Sequence, residues 1–252
     1  MTEQFLQVRR ISDTSHKLFR PVKLLTQFWN SSIGKKWIVA LTGLALIGFV
    51  FGHLAGNLQV FAGPEKINDY AAFLHSIPKT LWVMRIGLIA AFVTHLIATI
   101  SLVTSNRAAR PESYAVSKHQ VSRLATRMMF GSGLVIVSFV IYHLLHYTLR
   151  TTDPRFKLLA DGGKLASEND VHTMLVLGFQ SPLVSALYLL AVGLLAIHLS
   201  HGVTSVFRTL GLTSHNNAQG LVKLGNLVGA AVFIGYGSIP VAVLAGLLKI
   251  QA

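Results

Sequence analysis

Residues 37–64 read WIVALTGLALIGFVFGHLAGNLQVFAGP, with no Asp, Glu, Lys or Arg among them. About 20 consecutive apolar residues are enough to cross the hydrocarbon core of a membrane as a helix, so this stretch predicts a transmembrane helix. Four more stretches are equally free of these charges and reach the same length, at residues 86–106, 128–149, 171–207 and 224–248. We therefore expect an all-α integral membrane protein.

The fourth stretch is too long for one crossing, and Pro182 is typical of a helix start. Residues 171–179, just before it, are expected to form a short interfacial helix. Residues 1–30 are interpreted as a cytoplasmic or interfacial N-terminal segment, and residues 31–252 as one five-helix domain. The five transmembrane helices are predicted at about 37–60, 81–104, 127–149, 182–207 and 225–248.

Composition agrees with this class and excludes others. Mean hydropathy is +0.56, and charged residues make up 12% of the chain. Because cysteine is absent, the chain itself can form no disulfide, no thiolate zinc site and no cysteine-bound iron–sulfur cluster. The net charge of +13 does not indicate nucleic-acid binding, since the basic residues lie between the apolar stretches and not along one face.

The basic residues of the connections predict the orientation of the chain. With the N-terminus in the cytoplasm, the inside segments hold 14 Lys and Arg against three acids, and the outside segments hold seven against six. Basic residues concentrate on the cytoplasmic side of membrane proteins. The bias therefore favours a cytoplasmic N-terminus and a C-terminus outside, and it accounts for much of the positive net charge.

Each of the first four predicted helices carries a histidine far from the side at which the helix begins. His53, His95, His143 and His198 lie 14–17 residues past these starts, roughly 21–26 Å into a core about 30 Å thick. Because successive helices alternate in direction, His53 and His143 should lie near one face of the membrane and His95 and His198 near the other. An ionisable group in a bilayer usually faces the bundle interior and has a function.

Two histidines at each of two depths are what two bis-histidine b haems in a four-helix bundle require. For any one histidine, an interhelical hydrogen bond or a proton relay is an equally good interpretation, and the layered arrangement of all four favours haem. His146 and His201 follow one turn after His143 and His198 and could replace them as ligands. We favour His143 and His198, because the other two should lie closer to the interface. The remaining histidines are expected to face solvent: His16, His75, His119, His172 and His215.

Four motifs of this chain resemble those of one family, the five-helix, two-haem cytochrome b subunit of succinate:quinone oxidoreductases. They are SSIGKK at residues 31–36, GHLAGN at 52–57, IYHLLHY at 141–147 and HLSHG at 198–202. Each motif is loose on its own, whereas their order and spacing together are specific. The resemblance extends over nearly the whole chain, from Ser31 to about Leu248.

The resemblance implies that His53 and His143 ligate the distal haem iron and that His95 and His198 ligate the proximal one. It also implies a flavoprotein subunit holding FAD and an iron–sulfur subunit docked on the cytoplasmic face. This chain would anchor them in the bacterial cytoplasmic membrane and would not itself act on the dicarboxylate. Whether the complex oxidises succinate or reduces fumarate, and whether it forms a higher oligomer, stays open.

The resemblance further implies menaquinone, or another quinone, as electron carrier near the distal haem. Some family members use an acidic residue at the outer end of helix II, but this chain has no carboxylate between Asp69 and Glu112. His75 and His146 are therefore our candidates for proton exchange at the quinone site. Two alternatives remain: the cytochrome b anchor of a hydrogenase or formate dehydrogenase, and a transporter lined by histidines.

Overall fold

The computed structural model describes residues 26–109 and 124–250, except for the side chains of residues 124–127. The described residues form helices joined by turns and contain no β-strand beyond one isolated bridge between Leu158 and Leu165. Seven α-helices follow in chain order: α1 (Ser32–Leu58), α2 (Pro64–Ser76), α3 (Pro78–Ala108), α4 (Leu124–His143), α5 (Val171–Phe179), α6 (Pro182–Thr209) and α7 (Ala218–Leu244).

The helix boundaries have local causes. Ser31 caps α1, since its side-chain oxygen accepts a hydrogen bond of 2.9 Å from the backbone N–H of Gly34. Prolines begin α2, α3 and α6, where the missing N–H costs nothing and φ is already helical. The prediction that Pro182 begins a helix is thus confirmed. After its last residue, His143, α4 continues as a π-helical turn, Leu144–Thr148.

Within residues 26–109 and 124–250, five helices are long and apolar enough to cross a membrane: α1 with its 3-10 extension to Ala62, α3, α4 from Met128 to Thr148, α6 and α7. Their outer surfaces are apolar, as Val83, Leu183 and Ile234 show with 71%, 70% and 68% exposure. Large apolar side chains on this scale require a non-aqueous surrounding. The chain is therefore a multi-pass membrane protein, in agreement with the predicted all-α membrane fold.

The helices pack in neighbouring pairs. The most extensive contacts join α6 and α7, followed by α1 with α3 and α4 with α6, and α1 also touches α6 and α7. The bounds differ from prediction chiefly at the ends: α3 is longer than 81–104 on both sides, and α7 begins at Ala218 and ends at Leu244 where 225–248 was expected. The added residues at both ends of α3 and at the start of α7 are mostly polar and helical, so hydropathy alone could not find them. At the other end of α7, residues 245–248 are mostly apolar but not helical, because the chain turns at Gly246, which has a positive φ of 70°.

One end of the bundle is closed by a structure that we call the cap, formed by α2, α5 and residues 149–170. α5 has the bounds predicted for a short interfacial helix, and its residues Met174 to Phe179 are buried within the protein, which was not predicted. Its apolar side chains pack on α6, α7 and α2, which removes them from both water and lipid. α2 is a separate helix that was not predicted, and His75 lies at its end, before α3 begins at Pro78.

Polar bonds hold the cap together. The buried Asp170 carboxylate accepts hydrogen bonds from Asn68 and from the backbone N–H of Thr173, and the Asn68 amide oxygen accepts from the backbone N–H of His172. A buried carboxylate needs several donors to be tolerated. Asp170 has these donors because it lies between α2 and the start of α5, and its hydrogen bonds join the two helices.

Candidate metal-ligating histidine pairs

The four predicted ligands lie on four different helices and form two pairs. His53 on α1 and His143 on α4 are near the cap, and we call them the cap pair. His95 on α3 and His198 on α6 lie toward the opposite end and are called the far pair. The histidines that were expected at the same depth are therefore the ones whose imidazoles lie near each other.

In the cap pair, the ring centroids of His53 and His143 are 5.9 Å apart and the rings are nearly perpendicular, at 84°. An imidazole nitrogen binds a metal ion at about 2 Å, so two ligand rings on opposite sides of one ion have centroids roughly 6 Å apart. The spacing of the cap pair fits one metal ion between the two rings. Phe49 stacks on His53, with centroids 5.3 Å apart.

In the far pair, His95 and His198 are close enough to interact electrostatically. Each ring also lies against a glycine of the neighbouring helix. A Cβ at Gly43 would be 3.3 Å from the Cε1 atom of His95, and one at Gly133 would be 3.6 Å from the Cε1 atom of His198. These glycines let the two rings enter the space between the helices.

Hydroxyl groups fix the orientation of both far-pair imidazoles. The Thr42 hydroxyl is 3.1 Å from His95 Nδ1 and donates its proton to the Ile38 carbonyl, at 2.6 Å. The Ser132 hydroxyl is 3.2 Å from His198 Nδ1 and donates to the Met129 carbonyl.

A hydroxyl has one proton to give. With that proton committed to a carbonyl, each hydroxyl can only accept from the imidazole, so the Nδ1 atoms of His95 and His198 carry the hydrogen. Their Nε2 atoms are left with a free lone pair. This is the arrangement by which proteins present histidine to a metal ion. The far pair thus presents two imidazole nitrogens of the kind that ligate iron.

A repeat that we did not predict connects the two pairs. Thr42-Gly43 on α1 precedes His53 by eleven residues, and Ser132-Gly133 on α4 precedes His143 by the same eleven. At 1.5 Å per residue the two levels are about 16 Å apart along each helix. The same short pattern thus provides a cap-pair ligand and a support for a far-pair ligand. Searching the sequence for a hydroxyl residue and a glycine at a fixed distance before histidine would have found it.

The cap pair has different surroundings. The Tyr188 hydroxyl lies 3.4 Å from His143 Nδ1 and 3.0 Å from His146 Nδ1, so it connects the two histidines. The Asn57 side-chain amide donates to the His53 carbonyl at 2.8 Å and lies 3.3 Å from His53 Nε2. Ligation through that nitrogen requires the amide to turn away from the ring, whereas its carbonyl bond can be kept.

The alternative ligands have other surroundings again. His146 is only 2% exposed and stacks on Tyr142 and Phe156, so the expectation that it lies near an exposed interface is wrong. The π-helical turn Leu144–Thr148 places it in the buried aromatic cluster beneath the cap. His201 is half-buried. Geometry favours His143 over His146 as the partner of His53, because the structure brings His143 to that ring.

The remaining histidines are divided. His75 is exposed and donates from Nδ1 to the Asn169 side-chain oxygen, and His215 is exposed as expected. His172 is 4% exposed, so the prediction that it faces solvent is wrong. Its pKa lies below the usual value because burial disfavours the charged ring, although Asp170 opposes this. His16 and His119 lie outside the described residues.

The donor set suits a cofactor that needs only two protein ligands. Among the described residues, no group of three or more His, Asp or Glu side chains could hold a metal ion by itself. A porphyrin already gives four nitrogens to its iron, so two axial imidazoles complete the site. Gly52, Gly131 and Gly202, beside the histidine levels, have no atom within 4 Å of the position that a Cβ would take. The residues fit two haems.

Comparison with protein-family models, with curated proteins and with solved structures finds no match for this chain.

Proposed function

We propose that this chain is the di-haem cytochrome b membrane anchor of a succinate:quinone oxidoreductase, either a succinate dehydrogenase or a fumarate reductase. The proposal depends on one observation: the cap pair and the far pair of imidazoles lie about 16 Å apart along the helices. The proposal is also supported by the Nδ1–H groups of His95 and His198, which donate to the hydroxyls of Thr42 and Ser132. The family itself is proposed from the sequence motifs described above.

The residues would divide the work as follows. His53 and His143 would hold the distal haem, and His95 and His198 the proximal one. Each haem, when bound, carries one electron by cycling its iron between the ferric and ferrous states. Thr42 and Ser132 orient the far-pair rings and keep their Nε2 atoms unprotonated. The apolar helix surfaces keep water from the ligand nitrogens and so help to set the redox potential.

Partners and location follow from the same proposal. A flavoprotein subunit with FAD and an iron–sulfur subunit would bind on the cytoplasmic side, in a bacterial cytoplasmic membrane, with the N-terminus of this chain inside. Electrons would pass between the iron–sulfur clusters and menaquinone or another quinone. His75 and His146 remain the proposed proton-exchanging residues at the quinone site. Of the two, His75 is accessible, and His146 is buried and bonded to Tyr188.

The test is a dithionite-reduced minus oxidised spectrum of the purified protein, with haem measured per chain. We expect two b haems, and loss of one of them in each of His53→Ala, His95→Ala, His143→Ala and His198→Ala. His215→Ala is a matched control on an exposed histidine and should keep both. Retention of both haems by His143→Ala, with loss in His146→Ala, would reassign the ligand. A folded wild-type protein without haem would overturn the cytochrome proposal and favour a transporter.

A second measurement separates the cytochrome families. In native membranes, haem should be reduced by succinate in the presence of the whole complex, and fumarate should oxidise it. Reduction by hydrogen or formate, with no response to succinate, would instead identify the anchor of a hydrogenase or formate dehydrogenase.

A further inference from the structure

A pocket lies between the end of α2, the start of α3 and the cap residues Glu168 and Asn169. Its volume is about 320 Å³, within the range of small-ligand sites. The lining residues that matter here are His75, Trp82, Arg85, Glu168 and Asn169. None of them belongs to the histidine pairs.

The pocket holds two opposite charges that do not neutralise each other. Arg85 and Glu168, both among the described residues, line it without forming an ion pair with one another. The Arg85 guanidinium lies over the Trp82 ring, 5.4 Å from its centroid, and this cation–π contact positions it. On the other side, Arg150 donates to the Glu168 backbone carbonyl and thereby holds the cap residues in place. A ligand with both a negative and a positive group would match these charges.

His75 adds a third polar contact. Its Nδ1 is hydrogen-bonded to the side-chain oxygen of Asn169, and an amide oxygen can only accept. Nδ1 therefore carries the hydrogen, and in the neutral ring Nε2 remains an acceptor. An acceptor beside a carboxylate suits a primary ammonium group, which has three hydrogens to donate.

The depth of the pocket indicates where such a ligand would come from. Arg85 is seven residues after Pro78, the first residue of α3, and so about 10 Å along the helix. α3 has 31 residues and is about 46 Å long, close to a whole bilayer with its headgroup regions. This depth corresponds to the level where headgroups meet hydrocarbon, at which tryptophan is enriched in membrane proteins. Trp82 is 58% exposed.

We propose that this pocket binds the headgroup of a zwitterionic phospholipid that carries a primary ammonium, as phosphatidylethanolamine does. Arg85 takes the phosphate, and Glu168 with His75 Nε2 takes the ammonium. A purely anionic lipid would bring its charge close to Glu168. A quinone oxygen could accept a hydrogen bond from Arg85, but the neutral ring has no positive group for Glu168. The haem ligands take no part in this site. His75 is also a candidate at the quinone site proposed above, so a lipid headgroup and a quinone would compete for this pocket.

The experiment uses the full-length protein, delipidated in a non-ionic detergent, and counts bound lipid by native mass spectrometry. Three lipids with identical acyl chains are compared: phosphatidylethanolamine, phosphatidylcholine and phosphatidylglycerol. We expect tightest binding of phosphatidylethanolamine, by about fivefold over the other two, which is the effect of roughly 1 kcal/mol. Phosphatidylcholine has the positive charge but no hydrogen to donate, so it tests the ammonium contact separately.

Two variants test the assigned contacts. Glu168→Gln should abolish the preference for phosphatidylethanolamine over phosphatidylglycerol, and Arg85→Gln should weaken all three lipids about fivefold. Arg107→Gln is the matched control, since Arg107 makes the same cation–π contact, with Phe130 at 5.2 Å, at the other end of α3. It should behave as the wild type.

Three results would overturn the proposal: equal binding of the three lipids, equal effects of Arg85→Gln and Arg107→Gln, or a quinone analogue that competes with lipid and depends on Arg85. The first two would mean an unselective lipid annulus, and the third a quinone site. Glu168 is exposed, so its conservative variant should fold even if Arg85→Gln does not.

Discussion

The far pair and the cap pair present the same kind of side chain in different surroundings. In the far pair, each imidazole bonds to one hydroxyl on a neighbouring helix, and the two halves are nearly symmetrical. In the cap pair, Tyr188 joins His143 to a second histidine, and His53 has an amide beside its ring. Sites built from one ligand type can therefore differ in redox and proton chemistry through their hydrogen-bond partners.

The largest expected difference comes from the space around the far pair. Gly43→Val puts side-chain atoms where His95 Cε1 is only 3.3 Å from a Cβ, so the imidazole must move. We expect loss of about one haem of two, with the cap-pair haem retained. Haem content and the reduced spectrum measure this. Gly87→Val, at a glycine of α3 with nothing within 4 Å, is the control and should keep both haems. Two haems in Gly43→Val would show that this contact does not limit the site.

The next effect is on stability at the cap pair. Tyr188→Phe removes the hydroxyl that His146 and His143 share and leaves buried ring nitrogens without that partner. An unsatisfied buried polar group costs about 1–3 kcal/mol, and the unfolding free energy in detergent should fall by that amount. Tyr236→Phe, which loses one bond to the Val50 carbonyl, should lose less. An equal loss in the two variants would mean that the shared hydroxyl is not special. This result does not depend on haem.

A smaller effect should separate the redox potentials of the two pairs. Thr42→Val removes the hydroxyl beside His95 Nδ1 and leaves the Val39 backbone as the remaining partner of the ring, which makes the imidazole a weaker electron donor to iron and raises the potential of that haem. A hydrogen bond of about 1 kcal/mol corresponds to roughly 40 mV for one electron. Redox titration should show one shifted haem and one unshifted haem.

Thr104→Val is the matched control for that titration, because the Thr104 hydroxyl bonds only to the carbonyls of its own helix among the contacts described. It should shift neither potential. Equal shifts of both haems in Thr42→Val would contradict the assignment of Thr42 to the far pair alone.

The smallest effect concerns the cap and its pH dependence. Burial lowers the pKa of His172 in the folded protein, so folding is opposed when the ring is protonated. The stabilising contribution is complete above the unfolded value of about 6.5 and is lost as pH falls below it. His172→Gln should therefore lose less thermal stability than the wild type between pH 8 and pH 5.5. Parallel losses in the two proteins would show that His172 does not titrate with unfolding.

The grouping of the four histidines could be predicted from the sequence, whereas some of their hydrogen-bond partners could not. Hydropathy and the depth of one histidine per helix were enough to group His53 with His143 and His95 with His198. Thr42 and Ser132 could have been found from the repeat that they share, eleven residues before His53 and His143. Tyr188 and Asn57 could not be predicted as partners, because they are ordinary residues in apolar helices. Only the rotation of each helix about its axis decides which of its side chains meets a ring on a neighbour.

The cap was the least predictable part. α2 is polar and short, so it has no hydropathy signal, and the helix that carries His75 was not predicted. α5 was found at the correct bounds, but its burial beneath the cap was not predicted, since an apolar segment of nine residues fits an interface and a buried position equally well. His146 and His172 became buried only because the cap folds over them.

By itself, the sequence determined that the chain is helical, that five stretches are long and apolar enough to cross a membrane, and that four of them carry a histidine at one of two depths. A membrane fixes these features because helix length and apolar composition must match its thickness. The tertiary structure decided which ring nitrogens are hydrogen-bonded, which extra histidines are buried and where a charged pocket forms. These depend on contacts between residues far apart in the chain, and no local pattern encodes them.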